Sequence, residues 1–169
     1  MIIEPDKLLE FLKHRRSIRS FESEMISGDE LNMILEAARW TPSASNRQAW
    51  KFIVIKDQEK LKKIAKTAIY GSFVKRAPIA IAIVGDKKEN PNWYVQDTSL
   101  ASMNIMLMAW SLNIGTCWIG SMDRKKAKEL LGLTEDDFLL TILPLGYIKG
   151  NVPKPTLRKD LDDITEIIE

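Results

Sequence analysis

The sequence is poor in the side chains that most often carry out chemistry by themselves. It contains one cysteine, Cys117, and one histidine, His14. A single cysteine excludes an internal disulfide, a cysteine zinc cluster and a CxxC redox pair. A lone imidazole gives no support to a hydrolytic triad, and the carboxylates form no metal-ligand pattern. Redox chemistry would therefore need a cofactor, and we interpret Cys117 as a buried core residue rather than a nucleophile.

An excess of charge of one sign is also lacking. The chain has 25 basic and 23 acidic residues, a net charge of +2, which argues against a generic grip on nucleic acid or on an anionic membrane. Acidic residues near the amino terminus exclude a signal-peptide pattern there. The most apolar stretch, residues 99–119, contains Ser, Asn, Gly and Thr and suits a buried helix followed by a strand. We expect a cytoplasmic protein with no membrane or nucleic-acid partner.

Length and composition predict a single domain spanning residues 1–169, because 45% of the residues are hydrophobic. No strand is followed by the glycine pattern of a dinucleotide-binding crossover or of a P-loop. Helix and strand patterns alternate only partly, which indicates the α+β class. The predicted helices cover residues 6–14, 27–41, 57–68, 92–113 and 123–131. The predicted strands cover residues 50–57, 77–86 and 138–148, with a short strand or turn at 115–120.

Three of these segments carry further expectations. The first helix should place Leu8, Leu9 and Leu12 inward. The strand at 77–86 is apolar almost throughout, so it should be central and buried on both faces. The helix at 92–113 is apolar on most faces over its second half, so the core or another subunit must cover it. From Gly150 onward the chain should be extended, ending in an amphipathic turn or two.

Four polar or glycine-flanked segments could form a site. KHRRSIRSF, residues 13–21, combines arginines with hydroxyls and suits either a phosphate or solvent. PSASNRQAW, residues 42–50, either presents amides and hydroxyls to a ligand or forms an ordinary turn. GTCWIG, residues 115–120, either approaches something flat or ends a strand with turn glycines. PKPTLRKD, residues 153–160, could be a solvated tail.

These four segments occur in a fixed order together with a strand following Ala-Pro, a Met-rich helix and the segment LPLGYI. The whole arrangement resembles the nitroreductase family of FMN-dependent oxidoreductases. The resemblance extends from about Leu8 to Ile164. It implies a nitroreductase-like α/β sandwich, with a central mixed, mainly antiparallel sheet flanked by helices. It also implies an intertwined homodimer with FMN at the subunit interface, and a tail, residues 150–169, that wraps the partner subunit.

The resemblance assigns the basic residues to the flavin phosphate and ring. Arg15 and Ser17 match residues that bind the phosphate and ribityl chain, and Arg16 lies beside them. Arg19 matches a cation near the N1 and O2 edge of the flavin, and Arg158 matches a late basic residue that closes on the phosphate. The expected site is therefore assembled from both ends of the chain.

The resemblance assigns two further segments to the isoalloxazine ring. A loop reaches the ring from the other subunit and consists of Pro42, Ser43, Ala44 and Asn46. A second segment lies along the ring and consists of Trp118, Ile119 and Gly120. The backbone N–H of Gly120 is expected to point at the flavin N5.

The implied reaction is a ping-pong transfer of hydride from NAD(P)H to FMN and on to a small oxidised acceptor such as a nitroaromatic or a quinone. The flavin carries the chemistry, so no catalytic side chain and no metal are expected. Two alternatives stay open. One is a different flavin reaction of the family, such as reductive dehalogenation, flavin fragmentation or azoline oxidation. The other is a module that binds anions or nucleic acid through the basic segments, although these lack interleaved aromatics.

Overall fold

The computed structural model describes residues 3–169 and has the predicted α+β composition. Its helices are α1 (Pro5–His14), α2 (Gly28–Arg39), α3 (Gln58–Ala65), α4 (Tyr94–Ser111) and α5 (Arg124–Leu131). Its strands are β1 (Trp50–Ile55), β2 (Ile79–Asp86), β3 (Ile114–Thr116) and β4 (Asp137–Tyr147). Two short 3-10 helices cover Ala44–Asn46 and Ser72–Arg76.

The four strands form one sheet in the order β1-β2-β4-β3, and every neighbouring pair is antiparallel. The expected mixed sheet is therefore not found among the strands of residues 3–169. Within residues 3–169, parallel pairing occurs as an isolated bridge between Ser17 and Thr116. Ser17 belongs to the loop after α1, and one bridged residue does not make a strand.

β2 is central, as its apolar sequence predicts, because it pairs with β1 on one side and β4 on the other. All of its residues except Asp86 are buried. Side chains alternate across the sheet: Ala80, Ala82 and Val84 join a core with α3 and α5, whereas Ile79, Ile81 and Ile83 join a core with α2 and α4. The sheet therefore separates two hydrophobic layers.

The sequence signals at helix ends are confirmed where hydrogen bonds can be traced. Ser27 and Glu30 form the predicted capping box of α2, and the side chains of Asp57 and Asp123 cap α3 and α5. α2 and α4 each end two residues earlier than predicted, and α3 ends three residues earlier. α3 ends at Ala65, because the following chain bends until Ala68 bridges to Met122 beside the sheet.

The expectation for α1 is wrong within the single chain. Leu8, Leu9 and Leu12 are 42%, 50% and 44% exposed, and α1 has no buried residue. α4 likewise buries Ala101, Ile105 and Ala109 on one side but leaves Leu100 and Met103 half exposed. The uncovered apolar surface of these two helices is what a second protein surface could bury.

The tail runs along the outside of the molecule. Residues 150–169 are exposed throughout and contain neither helix nor strand. One turn is present near its end, where the Ile164 N–H donates to the Leu161 carbonyl over 3.0 Å. No helix within residues 3–169 combines the length and apolar character needed to cross a membrane.

Candidate cofactor-binding site

The loop after α1 is fastened to the edge strand β3. The Ile18 N–H donates to the Thr116 carbonyl over 2.8 Å, next to the bridge of Ser17 with Thr116. Gly115 permits this contact, because a Cβ on it would lie 2.6 Å from the Ile18 Cβ. The close approach expected at Gly115 is therefore made by the protein itself, and it aligns residues 15–19 along the sheet edge.

This loop forms one wall of a cavity of about 690 Å³, and the tail forms the other. The two segments are 15–19 and 153–158, so residues from opposite ends of the sequence meet here. The basic residues around the cavity are Lys13, His14, Arg15, Arg16, Arg19, Lys154 and Arg158. The acid among the lining residues is Glu10, whose carboxylate already lies 3.3 Å from the Lys13 ammonium. The cavity is therefore strongly cationic.

Arg15 is the most constrained cation of this group. Its Nη1 is buried and has no hydrogen-bond partner within residues 3–169. Burial, together with the positive charges of Arg16 and Arg158, lowers the pKa of Arg15 from its ordinary value. A buried guanidinium without an acceptor is costly, since each unmade hydrogen bond forfeits about 1–3 kcal/mol. Because Arg15 lines the cavity, its positive charge would attract an anion bound there.

Arg16 has a different setting. Its Nη1 donates to the carbonyls of Lys13 and Arg15 over 2.6 and 2.8 Å, so one side of its guanidinium caps the carboxyl end of α1. Its Nε is buried without a partner among the described residues. Both arginines thus keep N–H groups whose fork geometry suits phosphate oxygens.

A second cavity of about 240 Å³ adjoins the first, and Arg19 lines both. Its walls are largely aromatic and glycine-containing: Tyr70, Gly71, Phe73, Cys117, Trp118, Ile119, Gly120 and Ser121. The Arg19 guanidinium carbon lies 5.8 Å from the centre of the Phe73 ring. A ligand with a flat ring could place that ring here between apolar surfaces, while an anionic group attached to the ring extends toward the arginines.

Within the segment 118–120, the side chains point in different directions. Trp118 is 38% exposed, whereas Ile119 is 3% exposed and packs into the core. The Ile119 carbonyl accepts a hydrogen bond from the Thr141 hydroxyl over 3.0 Å. Ile119 can therefore offer a ligand only its backbone, and the buried Thr141 holds that backbone in place.

The loop after α2 is not part of either cavity in this chain. None of Pro42, Ser43, Ala44 and Asn46 lines them. The loop is nevertheless anchored to α4, since the Ala44 N–H donates over 3.1 Å to the Asp97 carboxylate, which is 3% exposed. Ser45 and Asn46 have φ angles of 52° and 53°, in the left-handed region that side chains generally avoid. A loop fixed in this way suits contact with a ligand outside its own chain.

Cys117 is a core residue, as predicted. It is 3% exposed, and burial raises the pKa of its thiol although Arg19, Ser17 and Arg15 act in the opposite direction. The thiol is therefore protonated at neutral pH and poorly suited to nucleophilic attack.

Sequence reasoning missed four residues that shape the site. Thr141 and Asp97 hold its backbone segments. Thr141 carries a readable signal, a polar residue inside an otherwise apolar strand, whereas Asp97 lies among the polar residues Gln96, Thr98 and Ser99 and carries none. Tyr70 and Phe73 line the aromatic cavity, and nothing in their local sequence indicates a role. Their placement depends on the bend after α3.

The fold and the cavities define an α+β protein with a paired cationic and aromatic site at one edge of an antiparallel sheet. The model of the nitroreductase family matches residues 12–69 and 65–147, which include the arginine loop and the segment 118–120. This chain therefore belongs to the nitroreductase family.

Several proteins resemble it over most of its length. Two carry the provisional name NADH dehydrogenase/NAD(P)H nitroreductase. The one from Archaeoglobus fulgidus is 38% identical, with 85% of this chain and 87% of that protein covered. The one from Methanothermobacter thermautotrophicus is also 38% identical, with 85% and 78% covered. The solved structure of an FMN-dependent nitroreductase from Clostridium difficile R20291 superposes with a TM-score of 0.86 at 32% identity, covering 94% of this chain and 98% of that one.

Proposed function

We propose that this protein is an FMN-dependent oxidoreductase that oxidises NAD(P)H and reduces a small acceptor such as a nitroaromatic or a quinone. The observation that carries the proposal is the cationic cavity that Arg15 and Arg158 line together, beside a second cavity with aromatic walls. Family membership and the names of the relatives agree with it.

The residues present fit a flavin mononucleotide. Its phosphate carries about two negative charges near neutral pH, so it matches a cavity where guanidinium N–H groups lack acceptors. Arg15, Ser17 and Arg158 would hold that phosphate, with Arg16 beside them. Because the adjoining cavity is aromatic and continuous with the cationic one through Arg19, the ring would lie there.

When bound, FMN would supply the hydride-accepting and hydride-donating chemistry, in two alternating half-reactions. The chain's own residues would orient the ring and set its electrostatics. Arg19 would place positive charge beside the ring, which favours its reduced form. Trp118, Ile119 and Gly120 would lie along it, with the Gly120 N–H directed at N5. No protein acid or base is required, which agrees with a protonated Cys117.

We also propose that the working unit is a homodimer built from one domain per chain. The anchored loop containing Pro42, Ser43, Ala44 and Asn46 would then reach the flavin of the partner subunit. The exposed apolar surfaces of α1 and α4 would be buried between subunits, and residues 150–169 would wrap the partner. A single chain offers only part of this site.

The test is the visible spectrum of the purified protein, followed by identification of the ligand released by heat and by anaerobic addition of NADH or NADPH. We expect a yellow protein that releases FMN and bleaches with at least one nucleotide. A yellow protein that neither nucleotide bleaches would refute the reductase reaction and favour another flavin chemistry. A colourless protein that does not take up FMN would refute the cofactor.

A further inference from the structure

A further cavity, of about 760 Å³, lies between the end of α3 and the 3-10 helix Ser72–Arg76 and is bordered by basic residues. Its basic residues come from both elements: Lys62, Lys63, Lys66, Lys75 and Arg76. All five side chains are exposed. The proposed flavin site uses none of them.

Most of this positive charge is not neutralised. The acid in the lining is Glu59, and its carboxylate pairs with the Lys62 ammonium over 2.7 Å. Lys63, Lys66, Lys75 and Arg76 form no ion pair within residues 3–169. The whole chain has a net charge of only +2, so this patch is a local concentration of cations rather than a reflection of composition.

The cavity lies next to the proposed flavin site. The 3-10 helix Ser72–Arg76 contributes Phe73 to the aromatic cavity. The same helix contributes Ser72, Lys75 and Arg76 to the cavity of about 760 Å³. Arg76 also donates from Nη2 to the Arg19 carbonyl over 3.1 Å. A nucleotide whose nicotinamide lies against a flavin held in the aromatic cavity could therefore extend past this short helix to the lysines.

We propose that this cavity binds the 2′-phosphate of NADPH and makes NADPH the preferred reductant over NADH. The inference rests on the proposed function and adds the identity of the reductant. A phosphate monoester brings about two negative charges and three acceptor oxygens, whereas NADH has a neutral hydroxyl at that position. Several lysines acting as point charges favour the phosphate and gain little from the hydroxyl.

The first test compares kcat/KM for NADPH and NADH in the FMN-loaded protein at low ionic strength. We expect a ratio of about ten or more in favour of NADPH, because the modest contributions of two or three exposed charge pairs combine. Lys63→Gln, Lys66→Gln and Lys75→Gln should each lower the ratio by about two- to fivefold. Lys60→Gln is the matched control: it lies on the same helix outside the cavity and should leave the ratio unchanged.

The second test measures binding without turnover. Calorimetric titration of the FMN-loaded protein with adenosine 2′,5′-bisphosphate should show binding that weakens with added salt and in the Lys66→Gln variant. Adenosine 5′-monophosphate should bind at least about tenfold more weakly.

The outcomes separate this inference from the proposed function. A protein that contains FMN and is reduced equally well by both nucleotides would overturn the inference and leave the oxidoreductase intact. Equal affinity for the two adenosine phosphates would also overturn it and indicate that the lysines serve only to stabilise helix ends. A protein without FMN would overturn the proposed function itself.

Discussion

At Arg15, a buried guanidinium nitrogen lies among other cations without an acceptor in residues 3–169. Arg15→Ala and Arg158→Ala should each raise the FMN dissociation constant by about 10- to 100-fold, since each removes a charge-assisted hydrogen bond worth about 1.5–3 kcal/mol. Quenching of FMN fluorescence on titration measures this. Lys125→Ala, at an exposed position on α5, is the control. Unchanged affinity in both arginine variants would refute the phosphate assignment.

Cys117, unlike Arg15 and Arg158, is expected to be dispensable for FMN binding and turnover. Because burial raises the pKa of its thiol, it is neutral during turnover and supplies only core volume. Cys117→Ala should therefore retain most of the NAD(P)H oxidation rate and the FMN content. Steady-state kinetics and the flavin absorbance per chain check this. An inactive variant with flavin still bound would show that the thiol takes part in the chemistry.

At the scale of elements, the amino end of α2 is tied to β4 through one carboxylate. Glu30 Oε2 accepts from the Tyr147 hydroxyl at 2.7 Å and from the Ser27 N–H at 2.8 Å. These bonds, with that of Tyr147 the strongest, lower the pKa of Glu30 from its ordinary value. The carboxylate form is therefore favoured in the folded protein.

Glu30 should accordingly stabilise the fold in a pH-dependent way. A group whose pKa is lower in the folded state contributes above its unfolded pKa and loses that contribution as pH falls through the folded value. The difference in unfolding free energy between wild type and Glu30→Ala should be largest near pH 7 and shrink as the pH falls from the ordinary pKa of a glutamate toward the lowered pKa of Glu30. Urea unfolding at several pH values measures it. A difference that grows toward acid pH would contradict the assignment.

The cap itself offers a second comparison on the same helix. Ser27→Ala removes the side chain that accepts from the Glu30 N–H over 3.1 Å, and should cost about 1 kcal/mol of stability. Thermal unfolding followed by circular dichroism measures the loss. Ser99→Ala, at a half-buried position within α4 where the hydroxyl donates only to the Val95 carbonyl, is the control and should change stability much less. An equal loss in both variants would exclude a specific capping contribution.

At the scale of the whole molecule, α1 and α4 leave apolar side chains uncovered. Leu100 and Met103 are 50% and 47% exposed, and a groove of about 430 Å³ separates α1 from α2 and α4. Met103→Asp should convert the expected dimer to a monomer and lower its FMN content, because a carboxylate in an apolar interface is costly to bury. Light scattering combined with absorbance measures both, with Lys60→Asp as control. A wild-type monomer with full flavin occupancy would refute the shared site.

Much of the fold could be predicted from the sequence because its causes are local. Ser27, Asp57 and Asp123 mark helix starts through hydrogen bonds that span two or three residues. The apolar run of β2 predicts its central place. The prediction failed for Leu8 and its neighbours, since periodicity shows that a helix has an apolar face but not which surface covers it.

The candidate site was only partly predictable. The arginine loop, the segment 118–120 and Arg158 were recognised as pieces of a family pattern, and the structure brings them around two adjoining cavities. Tyr70 and Phe73, by contrast, had no local signal. They enter the aromatic cavity because the chain bends after α3, and that bend depends on the bridge between Ala68 and Met122.

The sequence by itself determined the types of element, their caps, the buried central strand and the absence of a reactive side-chain constellation, because periodicity, short-range hydrogen bonding and composition set these. Only the tertiary structure decided that Arg158 meets Arg15, that Thr141 holds the backbone at Ile119, and that the lysines of α3 converge with Lys75 and Arg76. Such contacts join residues far apart in the chain. They exist only after the sheet has positioned both partners, so no local pattern encodes them.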